Sequence, residues 1–134
     1  MIRTKKQLWI VSTVAIAGSL LYFYFDPSFN RFFPPCPFNW LTGLYCPGCG
    51  SQRAFHDTLH GHLSSAAGHN ILFVIFLPLL FFAAVVALHN LFSKKKWGQR
   101  LFYSASFARI ILTVTLLFWI LRNIPAAPFN LLAP

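Results

Sequence analysis

A chain of 134 residues allows one domain at most, and at 57% hydrophobic with only 10% charged residues it is too apolar for a water-soluble domain of that size. Eleven Lys and Arg against two acids leave a net charge of +9. Those basic residues stand at the ends of apolar runs and not along an aromatic-studded face, which excludes nucleic acid as the partner and points to a lipid bilayer.

The first predicted element is an apolar span over 8–25. It is longer than the roughly 7–15 residues of a signal-peptide core, so it reads as a retained anchor. Tyr22-Phe23-Tyr24-Phe25 forms an aromatic interface belt at its end. Asp26 to Gly43 holds Asp26-Pro27, Pro34-Pro35 and Cys36-Pro37. Proline removes a donor and disfavours helix in the residue before it, so this stretch is expected to be irregular or extended. Its Phe29, Phe32, Phe33, Phe38 and Trp40 keep it near the headgroups.

Thr42-Gly43-Leu44-Tyr45 then leads into the tight turn Cys46-Pro47-Gly48-Cys49-Gly50. From Ser51 to Ala67 the pattern is helical, with Phe55, Leu59, Leu63 and Ala66 on one stripe and polar residues elsewhere, which predicts an interfacial helix. A second span covers 71–92, with Pro78 expected to kink it. A third covers 101–121 and carries Arg109, whose side chain is expected to snorkel toward the nearer headgroups. The fold class expected is therefore an all-α integral membrane protein, with three transmembrane helices plus one interfacial amphipathic helix after a Cys-rich turn.

Charge orients it. Arg3, Lys5 and Lys6 precede the first span, and Lys94, Lys95, Lys96 and Arg100 lie between the second and third. The positive-inside bias puts both groups in the cytoplasm. The 26–70 connection and the C-terminal tail then share the extracytoplasmic side. Asn70, at the start of the second span, is on that side too, so Arg122 and Asn123 can close over the cysteine loop, and Asp57 can pair with Arg53 or Arg122.

The chemistry-bearing residues gather around the turn. Projected as a helix at ~100° per residue, Cys49, Arg53, His56 and His60 share one sector. If Cys49 caps the helix, the first-turn N–H groups and Arg53 favour its thiolate. Two chemistries are open. Cys-x2-Cys on a Pro-Gly turn has the shape of a zinc knuckle, with Cys36 as third ligand and His56 or His60 as fourth. Alternatively, Cys46 and Cys49 cycle between dithiol and disulfide, assisted by Arg53, as a membrane thiol–disulfide oxidoreductase. A plain structural reading, one disulfide with a thiol left over or three buried thiols, stands beside them. His62, His69 and His89 read as interfacial or helix-end histidines. Two acids leave no paired carboxylates, and no Ser-His-Asp arrangement or phosphate loop is present, so hydrolase and nucleotide chemistry are excluded.

The run Cys36-Pro37, Leu41-Thr42-Gly43-Leu44-Tyr45-Cys46-Pro47-Gly48-Cys49-Gly50, then Arg53-Ala54, Leu59-His60-Gly61, Ala67 and Asn70, resembles the bacterial membrane proteins grouped as domain of unknown function 2752. The ending Arg122-Asn123-Ile124-Pro125 is similar to that family's ending. The resemblance implies a small multi-pass protein of the bacterial cytoplasmic (inner) membrane with no established activity, and it assigns no catalytic residue. The favoured role is non-enzymatic: an extracytoplasmic Cys/His site, stabilised by zinc, that supports a membrane-protein partner or a homo-oligomer.

Overall fold

The computed structural model describes residues 5–29, 33, 35–93 and 97–133. Arg3, Phe32, Pro34 and the Lys94–Lys96 run, used above to orient the chain and read its first connection, lie outside that set. Among the described residues there are six α-helices, one 3-10 turn and no strand. The all-α class is as expected.

α1 (Lys5–Tyr24) is apolar on all sides, and Asp26-Pro27 follows its end. α2 (Pro37–Thr42) is a short helix inside the stretch expected to be irregular. Proline causes the difference: Pro37 sits in the first turn, where its missing N–H is not needed and its φ already suits a helix. α3 (Ser51–Leu59) and α4 (Leu63–Phe92) replace the single helix expected over 51–67. Gly61 lies between them at φ 78, a left-handed position through which a helix cannot run. α4 itself breaks at Asn70 (φ −161, ψ 96), while its backbone stays helical through Pro78.

α5 (Gln99–Phe102) and α6 (Ala105–Leu121) divide the third expected span, because Ser104 starts a new helix by accepting from the Ser106 N–H at 3.3 Å. α6 is left with 17 residues, a length of about 26 Å. Of the three expected spans, only α4 is long and apolar enough to cross a membrane, over Leu63–Asn90. From Ile71 to Phe92 it rises about 33 Å, against a hydrocarbon core of about 30 Å. The apolar stretches Trp9–Tyr24 and Ala105–Leu121 are shorter. Arg109 is exposed and folds back toward the start of α6, donating to Ala105 O at 3.3 Å and Ser106 Oγ at 3.4 Å.

Burial is concentrated at one end. Cys49, Ala54, Ala66, Asn70, Leu72, Phe118 and Arg122 are buried there, and among the described residues Val86 is the one buried at the other end, beneath the turn at Gly98. α3 lies against α4 with Ala54 and Ala66 fully covered, since small side chains let the two helices approach closely. α1 meets α3 through an edge-on Tyr22–Phe55 contact at 5.3 Å. The 3-10 turn Phe129–Leu132 returns to pack on α4.

Candidate metal centre

Two local structures deliver three sulfurs to one point. Cys36 is the N-cap of α2. Cys46-Pro47-Gly48-Cys49 forms a tight turn in which the Cys49 N–H donates to Cys46 O at 3.1 Å. Gly50 caps α3 at φ 82, so the chain leaves the turn through a conformation that glycine adopts without a Cβ penalty. The Cys46 sulfur lies 3.4 Å from that of Cys36 and 3.3 Å from that of Cys49. All three Sγ atoms fall within 4.8 Å of one another, and all are free thiols. With Zn–S bonds of ~2.3 Å, a tetrahedral site has an S···S edge of about 3.8 Å, so the two edges at Cys46 need to open by a few tenths of an ångström for a cation to sit among the three sulfurs.

The turn is held from outside by two helices. At the break in α4, Asn70 turns its amide into the loop and donates to Pro47 O at 2.9 Å, Cys49 O at 3.1 Å and Ser51 Oγ at 3.0 Å. Its Oδ1 accepts the Phe73 N–H at 3.0 Å and so restarts the helix. From the end of α6, Arg122 donates to Cys46 O at 3.1 Å and to Cys49 O at 3.2 and 3.3 Å. Its guanidinium lies 4.9 Å from the Phe118 ring centroid and 5.8 Å from that of Tyr45. Asn123 pairs with the Tyr45 backbone at both ends: Oδ1 accepts the N–H at 2.9 Å and Nδ2 donates to the carbonyl at 2.9 Å.

Asn70 and Arg122 are 1% and 2% exposed. Among the described residues Arg122 has no carboxylate partner, and the ion pair they contain joins Asp57 to His69. A buried cation without a counter-charge is expensive. Three thiolates around a divalent ion carry a net −1 beside it, which is the charge this pocket lacks.

Cys49 and Cys36 are shifted in opposite directions. Burial pushes the Cys49 thiol up to about 12, with the neighbouring Cys46 and Cys36 thiols adding to the rise. This corrects the expectation of a Cys49 thiolate: Gly50, not Cys49, caps α3, and Cys49 is buried. Cys36 moves the other way, held below the ordinary thiol value chiefly by the Asn39 N–H, against burial and with help from the Cys46 and Cys49 thiols. Burial pulls the Arg122 guanidinium down, opposed by Cys49 and Cys46.

The other sequence-selected residues stand apart. Among the described residues, the cluster of possible ligands contains Cys36, Cys46 and Cys49 alone. His56 and His60, expected as the fourth ligand, face α1: His56 Nδ1 bonds Tyr22 O at 2.6 Å, and the His60 ring stacks on Phe23 at 4.4 Å. The turn ends before α3 begins, so Cys49 falls outside the sector drawn through Cys49, Arg53, His56 and His60.

Arg53 is exposed on α3, and the guanidinium lying against the cysteine turn is that of Arg122. Asp57 pairs with neither arginine: it accepts from Ser65 Oγ at 2.5 Å and lies 3.5 Å from His69 Nε2. The Ser51 hydroxyl and the Tyr45 backbone were not foreseen as anchors, because their partners lie 19 and 78 residues away. Their immediate attachment to the Cys46–Gly50 motif was the available signal.

Residues 36–84 match the family model described as Protein of unknown function (DUF2752). The resemblance read from the cysteine run is thereby shown, and the Arg122–Pro125 ending lies outside the matched residues. Nothing matches among curated proteins or among solved structures.

Proposed function

We propose that this chain is a small multi-pass membrane protein whose Cys36, Cys46 and Cys49 bind one structural zinc ion. α1, α4 and α6 are the spans, shorter helices being accommodated by local thinning or by neighbours. The cysteine loop and the C-terminus lie outside the cytoplasm of a bacterial inner membrane, as the Lys and Arg distribution requires. The ion joins α2 to the turn, and the turn joins α4 to α6, so metal binding holds the extracytoplasmic ends in one arrangement. A fourth ligand comes from water or from a partner subunit, which makes the centre an assembly point. The observation that carries this reading is the buried Arg122, aimed at the carbonyls of a three-sulfur cluster with no carboxylate beside it among the described residues.

The test is metal content and thiol count on protein purified in detergent without reductant. The reading expects about one zinc per chain, with thiols that react with an alkylating agent only after a chelator is added. Metal-free protein whose gel mobility changes on reduction would instead support thiol–disulfide exchange. That second reading draws on the central position of Cys46, within 3.4 Å of both other sulfurs. It is weakened by the raised Cys49 thiol and the displaced Arg53, since an exchange pair needs an accessible low-pKa thiolate. Finding neither metal nor a reducible bond would leave the cluster a packing feature and end both readings.

A further inference from the structure

The geometry points to a second cation site at His56 and His60, a two-imidazole chelate for Ni²⁺ or Cu²⁺ that is separate from the cysteine centre. The two residues are one helical turn apart, at the i, i+4 spacing that stacks side chains on one face. Each uses Nδ1 on a backbone carbonyl: His56 on Tyr22 O at 2.6 Å, His60 on His56 O at 2.9 Å. A carbonyl can only accept, so both Nδ1 atoms carry a proton, and in the neutral ring Nε2 is then the nitrogen left to bind a metal. Metal-ligating histidines are prepared in this way, with the second nitrogen fixed by a carbonyl.

The two rings stand close enough to share one ion: their centroids are 4.4 Å apart, with the rings tilted by 39°. Imidazole is a ligand that suits Cu²⁺ and Ni²⁺. The His60 ring is also held on its other side by Phe23, stacked at 9°, so the pair is ordered before the ion arrives. His62 is the next imidazole, with its centroid 6.3 Å from that of His60, too far to complete the same pair. The remaining coordination positions open to solvent, since His60 is exposed.

Ni²⁺ is the probe, because it does not oxidise thiols. The full-length protein in detergent is saturated with zinc to occupy the cysteines and then titrated with Ni²⁺. One Ni²⁺ per chain should bind, His60→Ala should weaken it about tenfold or more through loss of the chelate, and His62→Ala should change it less than about threefold. On the unsubstituted protein, Ni²⁺ should protect His56 and His60 from diethyl pyrocarbonate and leave His89 reactive, as read by peptide mass spectrometry. Equal modification of His56 and His60 with and without Ni²⁺, or undiminished Ni²⁺ binding by His60→Ala, would overturn the site. Neither result would alter the zinc and thiol counts that test the cysteine centre.

Discussion

The end of the molecule that holds the cysteines and the helical shafts that lead away from it are built on opposite principles. At the cysteine end, side-chain amides and a guanidinium bond backbone carbonyls, and seven of the eight residues buried among those described are found there. Along the shafts, large apolar side chains stand in the open: Ile75 is 60% exposed, Phe81 74% and Ile110 60%. Such exposure is what a lipid-facing helix shows, because hydrocarbon in place of water removes the drive to bury these groups against one another. Specificity in this protein therefore comes from polar bonds at one end, while the shafts supply length and apolarity.

Substitutions at the two regions should differ in both size and kind. Cys46→Ser removes the sulfur that touches both others and should reduce bound zinc from about one equivalent to nearly none, as measured by metal analysis, because two ligands cannot hold a structural ion. Arg122→Met removes the guanidinium from the Cys46 and Cys49 carbonyls, which keep only the Cys49 N–H and the Asn70 amide as donors. It should cost about 3 kcal/mol in detergent denaturation, at ~1.5–3 kcal/mol for hydrogen bonds from a charged group. Retention of full stability by this variant would show that the guanidinium is not what holds the turn. Asn70→Leu, which loses three donated bonds and the restart of α4, should cost about 2–3 kcal/mol by the same measurement.

Metal affinity should fall steadily as pH drops below neutral, measured by competition with a chelator of known pH dependence, because a proton must leave each thiol for the ion to bind. Ile110→Ala, on an open shaft, should change stability by less than about 0.5 kcal/mol. A loss there comparable to that at Asn70 would mean the shaft is covered by another chain, and size measurement in detergent would then show an oligomer.

Different parts of this architecture were legible in the sequence to different degrees. The apolar runs announced α1, α4 and α6 because hydrophobicity over about 20 residues needs no tertiary information. The Cys46–Gly50 turn was equally plain, since proline and glycine set its local conformation. The helix over 51–67 was misjudged at Gly61. Its apolar stripe runs on through Leu63 and Ala66, and periodicity does not register a single left-handed residue. α2 was hidden because proline reads as a breaker unless it stands at a first turn. The histidines were drawn toward the cysteines by a helical projection that assumed one continuous helix from Cys49.

What the sequence determined alone is the presence of three apolar shafts, a two-cysteine turn and a strong excess of positive charge, all set by residues close to one another in the chain. Cys36 and Arg122 stood among the sequence's candidates to meet the turn, and only the tertiary structure decided that they do, that Arg53 stands apart from it, and that His56 and His60 face α1. Those pairings join residues 10 to 76 positions apart. Hydrogen bonds of that range depend on where whole helices end, which no local pattern of residue types records.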